Sequence, residues 1–345
     1  MNHARINKLM QSIITDLDID LKGMTILTEC ASNLFAVTPL IAALAGADRV
    51  IAIAKDSQYG LANDNISSLN AWSKDLGIED KIYATTEPAH LFAKDANIVT
   101  NLNFLRPIGN QIIENLPSDC CIPLMWEPWE FREEDLDLEL CDKHSIPVLG
   151  TNETNPRLEI FRYVGLLALK LLFELNIEVF RSKILIVGGN PFAKEAIKVL
   201  EPLQAEIHVI DPNAHDTLNK PELQALVENS EAIVVLEHIS KEPVIGGENG
   251  IPIEWIKDNS LPIVHICGNV DDESLKSAGV IKHPKRAVPP GYMTVTTAYM
   301  GPRAIVDLHA AGLKVGEIVV KSLRKGASVE EAKLTAVKNG IALDF

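Results

Sequence analysis

Carboxylates and histidines recur in this sequence at one kind of position, the end of a short apolar run. Glu29 closes "MTILTE", Asp56 closes "IAIAKD", Glu127 closes "PLMWE" and Glu153 closes "VLGTNE". Further along, Asp211 closes "EIHVID", Glu237 and His238 follow "AIVVL", and His265 lies within "PIVHICG". A carboxylate so placed serves as a general base when burial lifts its pKa towards neutrality. The competing role is structural, since acids at strand–helix turns also cap helix N-termini. Glu127, Glu153 and His309 are the candidates for proton handling; Glu29, Trp126 and Arg303 are candidates for holding a substrate. Trp126 belongs to "MWEPWEF", which holds two of the four tryptophans. Such a ring stacks on a flat ligand or closes a domain interface. Arg303 opens a helical stretch after Gly301-Pro302, where a guanidinium clamps a carboxylate or joins a surface ladder with Asp307 and Lys314 or Glu317.

A second kind of chemistry is written in "KILIVGGNPFAKEAIKVLEPLQAEIHVIDPN", Lys183 to Asn213. A strand ending in glycine, a tight turn, a helix and a second strand ending in an acid is the design of a diphosphate site. The helix N-terminus offers unpaired N–H groups and the positive end of its dipole. Asp211 lies 23 residues past Gly188, where an acid accepts hydrogen bonds from ribose hydroxyls. The turn departs from G-x-G-x-x-G: Gly188 fits the first position, Asn190 stands at the second and Ala193 at the third. Gly188, Gly189, Asn190 and Pro191 are therefore the expected phosphate turn, and Asp211 the expected ribose partner. The same acid repels a 2′-phosphate, so the expected cofactor is NAD rather than NADP. The alternative is a βαβ unit kept purely as scaffold.

The elements that must carry these residues alternate along the chain. Strand-like runs at Met24–Cys30, Arg49–Asp56, "KIYATT", "ANIVTNL", "CIPLMWEP" and "IPVLGTN" are separated by helical patterns, as in a parallel sheet with crossover helices. Asn155-Pro156 breaks the series, and "RLEIFRYVGLLALKLLFELN" predicts a long connecting helix. A second series then runs through "KILIVGG", "EIHVIDP", "AIVVLEH" and "PIVHICG", and Arg303 to about Leu323 predicts one long helix. The expected organisation is a first α/β domain over 1–152, a dinucleotide-binding domain over 153–300, and C-terminal helices over 301–345 that pack back on the first domain.

At 345 residues there is length for two domains of roughly 150 residues. The net charge of −15 excludes nucleic acid and anionic membrane surfaces as expected partners. No apolar run reaches the ~18 residues of a membrane span. Five cysteines without a CxxC, and histidines without HxH or HExxH, point to reduced thiols in a cytoplasm and to no metal site. Apolar helices in both halves predict a homo-oligomer, a dimer before a monomer.

The wider arrangement resembles the D-2-hydroxyacid dehydrogenases and S-adenosylhomocysteine hydrolases. Three stretches carry the likeness: Ile112 to Glu153, ending in "IPVLGTNE"; the glycine turn above; and "IKDNSLPIVHICGNVDDESL", similar to the dehydrogenases' "N-x-G-R-G … V-D-E … L" turn. The resemblance implies a flavodoxin-like substrate domain, a Rossmann NAD domain joined to it by a long helix, and a Cys267-Gly268 turn that faces the cofactor. It implies an NAD-dependent oxidoreductase acting on a small polar metabolite in an interdomain cleft. Departures are specific. Asn269 stands where the dehydrogenases carry an arginine, and their acid–base Glu and His have no counterpart at matching spacing. The hydrolases' Lys and Asp are replaced by Arg157, Glu159 and Arg162, which leaves Arg157 as a further substrate-binding candidate. The alternative is a redox-inactive small-molecule or nucleotide-binding protein on the same bilobal scaffold. Met24 to Ser57 also has some likeness to the start of an S-adenosylmethionine methyltransferase, without its E-x-G-x-G.

Overall fold

The computed structural model describes residues 1–214 and 220–345. The chain forms two compact units, one made of Met1–Glu159 with Pro302–Phe345, the other of Ile160–Gly301.

The first unit begins with α1 (His3–Asp16), whose N-terminal amide at Arg5 is capped by the Asn2 side chain. There follow β1 (Thr25–Glu29), α2 (Val37–Leu44), β2 (Arg49–Ile53), α3 (Ala62–Asp75), β3 (Ile82–Thr85), β4 (Ile98–Val99), α4 (Asn110–Ile113), β5 (Ile122–Pro123), α5 (Leu138–Lys143) and β6 (Val148–Thr151). β3, β2, β1 and β4 are neighbours in that order and all parallel. A bridge between Ile98 and Cys121 carries the order on to β5 and β6. This is the flavodoxin order 2-1-3-4-5 with β3 added at one edge. The strands are buried on both faces, which is why "TILTE" and "RVIAI" read as continuous apolar runs instead of alternating ones.

The second unit holds α6 (Arg162–Glu174), β7 (Lys183–Val187), α7 (Phe192–Leu200), β8 (Glu206–Ile210), α8 (Lys220–Glu228), β9 (Ala232–Leu236), β10 (Pro243–Ile245), α9 (Ile253–Asp258), β11 (Ile263–Cys267), β12 (Asn269–Val270), α10 (Asp272–Ser277) and β13 (Lys282–His283). Its parallel sheet runs β13-β11-β9-β7-β8, while β10 and β12 pair separately. Successive residues of β7 feed opposite cores. Ile184 and Ile186 join Phe161, Leu171 and Ala196 on the α6/α7 side, whereas Leu185 and Val187 join Val227, Ile245 and Ile256 on the other. Both units are therefore doubly wound, the expected fold class.

The chain then returns to the first unit with α11 (Pro302–Arg324), α12 (Val329–Lys338) and β14 (Ala342–Leu343). α11 is buried along most of its length, including Ala304, Leu313 and Val320. Gly312 and Gly316 let it approach Met125 and Ile98 so closely that a Cβ would overlap them. α12 carries a full capping box between Ser328 and Glu331. β14 pairs antiparallel with β6. Among the described residues no helix is long and apolar enough to cross a membrane.

One expected element is shorter than its pattern. The helix read from Arg157 starts at Arg162. The Asn155 side chain accepts the Arg157 amide at 2.9 Å, and Glu159 adopts φ 45°, so the first turns are spent on an Asx turn.

α6 and α7 meet at Gly165, where a Cβ would overlap the backbone carbonyl of Glu195. Alanine favours a helix interior by about 1 kcal/mol over glycine. Gly165→Ala is nonetheless expected to destabilise the protein by about 2 kcal/mol, because backbone cannot yield as a side chain does. Urea denaturation measures the sign; a stabilised variant would show that the two helices do not approach this closely.

Candidate functional site

At the end of β7 the chain must turn while still flanked by β8 and β9. Gly188 continues the β7–β8 ladder by donating to the Ile210 carbonyl at 2.8 Å. Its φ is 150°, and a Cβ there would lie 2.6 Å from the Leu236 carbonyl carbon and 2.9 Å from the Glu237 nitrogen. Only glycine fits. A Cβ on Gly189 would come 2.8 Å from one Asp211 carboxylate oxygen and 3.0 Å from the other. The acid and the turn are thus side by side, as their spacing predicts. The Gly189 and Asn190 amides make no hydrogen bond among the described residues. Pro191 is the N-cap residue of α7, and Ala193 N donates to the Gly189 carbonyl at 3.0 Å.

Asn190, the residue that replaces the middle glycine, is exposed. The next large side chain, Phe192, is 3% exposed and packs inward. Its ring stacks on His238 at 4.2 Å and meets Phe161 edge-on at 5.2 Å. Neither lines the cavity that opens beside Asp211. That cavity, about 670 Å³, is bounded by Val187, Ile210, Asp211, Pro212, Ser240 and Pro243, among others. Its volume falls in the range of small-molecule and cofactor sites.

Glu237 ties the cavity's walls together. It is 1% exposed, accepts the Ile239 and Ser240 amides at 2.7 Å each, and receives Asn213 Nδ2 at 3.1 Å. Asp211 in turn accepts the Asn213 amide at 2.9 Å. The loops after β8 and β9 are cross-linked by one buried carboxylate. Burial pushes His238 below its ordinary range, against the pull of the Glu237 and Asp211 charges.

The turn after β11 is held from behind. Burial pushes His265 down to about 4, so its ring is neutral. Nδ1 faces Lys282 Nζ at 3.3 Å and accepts from it, which leaves Nε2–H to donate to the Gly268 carbonyl at 2.9 Å. Gly268 has φ 116°, and Cys267 is buried beside it with a bridge to Met293. Asn269 donates to the Lys241 carbonyl at 2.8 Å.

The first unit brings Glu127 and Glu153 together and adds Glu130. Glu127 accepts the Glu153 amide at 3.1 Å and the Trp129 indole N–H at 2.9 Å. The Glu153 carboxyl donates to Glu130. Burial, then the neighbouring Glu130 and Glu127 charges, hold Glu153 well above the usual carboxylate range. Burial pushes Glu130 up to about 7, with Arg132 opposing and Glu127 assisting. Glu127 is also raised by burial, against those two hydrogen bonds. Glu130 is not among the expected site residues, although its spacing of three from Glu127 is a signal for it.

Glu29 is 4% exposed, accepts the Phe104 amide at 3.2 Å, and is pushed by burial up to about 7. The Trp126 ring lies under the Arg106 guanidinium at 4.3 Å. Arg157 and Arg303 are exposed. His309 is 4% exposed, its Nδ1 2.6 Å from Thr38 Oγ1, and burial pushes it down to about 4. Lys314 and Glu317 form an ion pair at 3.0 Å that Lys321 extends to Asp20. No group of three His, Cys, Asp or Glu among the described residues is placed to hold a metal ion.

No protein-family model matches the chain, and no curated protein matches it. Similar solved structures include a dipicolinate synthase chain from Bacillus halodurans, with TM-score 0.54 at 9% identity over 88% of this chain and 99% of that one. The corresponding dipicolinate synthase chain from Bacillus subtilis has TM-score 0.53 at 9% identity over 91% and 99%. The NAD+-bound 3-phosphoglycerate dehydrogenase of Entamoeba histolytica has TM-score 0.48 at 15% identity over 88% and 97%. The chain has the two-domain α/β fold of the two dipicolinate synthase chains over nearly all of their length.

Glu29, Glu130 and Glu153 keep protons in the folded chain at a pH where the unfolded chain, with the ordinary value of 4.5, has lost them. All three folded-state pKa values are raised, so the stability these groups confer is complete below about 4.5; for Glu29 and Glu130 it is lost as pH rises through about 7. Thermal unfolding is expected to fall by roughly 5 °C between about pH 5.5 and 8.5. Glu153→Gln, which supplies a permanent donor, should flatten much of that slope; an unchanged slope would show that Glu130 and Glu153 share no proton.

Proposed function

We propose that the protein is an NAD-dependent oxidoreductase, similar in kind to the 2-hydroxyacid dehydrogenases, acting on a small polar metabolite. The observation that carries this reading is the contact of the Gly188-Gly189 turn, with its two unpaired amides, against the Asp211 carboxylate, which itself lines the 670 Å³ cavity. The glycines let the turn pack against Leu236 and Asp211, and the Gly189 and Asn190 amides are left as unpaired donors of the kind a diphosphate takes. When bound, NAD supplies a hydride acceptor and, in its reduced form, a donor.

In this reading Gly189 and Asn190 donate to the diphosphate, and Asp211 accepts from the ribose hydroxyls and disfavours a 2′-phosphate. Glu237 fixes the loops that enclose the nucleoside, and His265 orients the Gly268 turn. Proton handling falls to the Glu127–Glu153 group, in which burial and the neighbouring Glu130 and Glu127 charges hold Glu153 well above the usual carboxylate range. We do not assign it to His309, whose ring is occupied by Thr38.

A redox-inactive nucleotide-binding role is favoured by one observation. Asn269, at the position where dehydrogenases carry arginine, spends its amide on the Lys241 carbonyl. Tight NADH binding without turnover on a panel of 2-hydroxy and 2-oxo acids would support that second reading.

Fluorescence titration tests the site. NADH is expected to bind more tightly than NADPH. Asp211→Ala should weaken NADH by about tenfold and narrow the preference, since each lost charge-assisted hydrogen bond is worth about 1.5 kcal/mol or more. Gly189→Ala should act in the same direction by displacing the Asp211 carboxylate. Absence of binding at millimolar NADH would overturn the assignment.

A further inference from the structure

In a doubly wound sheet, ligands collect at the crevice where strand order reverses. In the first unit that reversal lies between β1 and β4, and the chain's own segment closes it. Glu29, at the end of β1, accepts the Phe104 amide, and Thr100 donates to Thr28 across the two strands at 2.8 Å. Arg106 Nε donates to the Asn101 carbonyl and side-chain oxygens at 3.2 and 3.1 Å. The segment after β4 is thereby drawn over the end of β1. The opening that remains is displaced towards β2 and β3, a crevice of about 510 Å³ lined by Ile53, Lys55, Thr86 to His90, Phe104 to Pro107 and Gly109 to Ile112.

The charge of this crevice runs against that of the molecule. The chain carries −15 overall, yet the ionisable side chains lining the crevice are Lys55, His90, Arg106 and a single acid, Glu87. Glu87 is spent on β3, accepting from Tyr83 Oη at 3.0 Å and from Thr85 Oγ1 at 3.4 Å. Arg106 is spent too, paired with Asp135 at 3.0 Å. Lys55 and His90 have no hydrogen bond or ion pair among the described residues. Two nitrogen donors without an acid of their own thus face a cavity of ligand size, with the amide side chains of Asn110 and Gln111 on its rim.

We propose that this crevice binds a small metabolite through an oxyanion group, a phosphate or a carboxylate, held by Lys55 and His90. Asn110 and Gln111 take adjoining hydroxyl or carbonyl groups. The site lies wholly within the first unit and does not depend on the nucleotide reading of the second.

Calorimetric titration of the full chain at low salt with inorganic phosphate and, separately, with malonate tests it, and the better ligand identifies the group. At least one should saturate in the millimolar range. Lys55→Gln is expected to weaken it by about tenfold and His90→Gln by about threefold, with NADH affinity unchanged in both variants. Because Lys55 is exposed and His90 only partly buried, neither substitution threatens the fold, and unaltered thermal unfolding confirms this. Failure of both anions to saturate by about 50 mM, or equal affinity in wild type and both variants, would overturn the proposal, whatever NADH does.

Discussion

The contact between Gly188 and the Leu236 carbonyl sets the geometry of the second unit. β7 and β9 are hydrogen-bonded neighbours up to Val187 and Val235, and the chain must leave β7 without the two backbones separating. With no side chain at Gly188 the backbones stay in contact, and Gly189 falls against the Asp211 carboxylate. The amides that follow are left without partners at the start of α7. Everything else in the unit preserves that arrangement: Phe192 anchors the helix inward, and Glu237 ties the loops on either side. A buried acid with three hydrogen bonds is costly to dislodge, so the walls of the cavity are fixed before any ligand arrives.

The first unit meets a different constraint. At one end of its sheet three carboxyl groups, Glu127, Glu130 and Glu153, are brought together, with the Arg132 charge opposing. Burial makes the charged form expensive, and the group settles by sharing protons between Glu130 and Glu153 and accepting N–H donors at Glu127. At the other side of the sheet Glu29 is used to hold a loop down. The same residue type thus serves as a proton store at one strand end and as a clasp at another. The difference comes from whether a second acid or a backbone amide is brought alongside.

That distinction also marks where sequence reading stops. The alternation of strands and helices and the doubly wound class follow from patterns within about 25 residues and are present in the structure, where the glycine turn meets Asp211 through Gly189. Asn190 is harder to interpret, because its type suggests an obstruction while its exposure depends on the direction of the turn. Glu130 closes no apolar run, and only its spacing of three from Glu127 marks it locally; its importance comes from Glu153, which reaches it only through the folded sheet. The enclosure of His309 by Thr38 joins residues 271 positions apart. The shortened start of α6 depends on an Asx turn that the apolar periodicity conceals.

The first unit is discontinuous: its sheet receives β14 and its longest buried helix, α11, only after the whole of Ile160–Gly301 has intervened. On a ribosome the inserted unit is complete, with local connections throughout, while the surrounding one still lacks the helix that covers β4, β5 and β6. The apolar faces of Met125 and Ile98, which α11 seals through Gly312 and Gly316, then stay open for the time needed to translate more than a hundred codons, at about 5–20 residues per second. During that interval the nascent chain exposes a sticky surface, and chaperone occupancy should be highest in it.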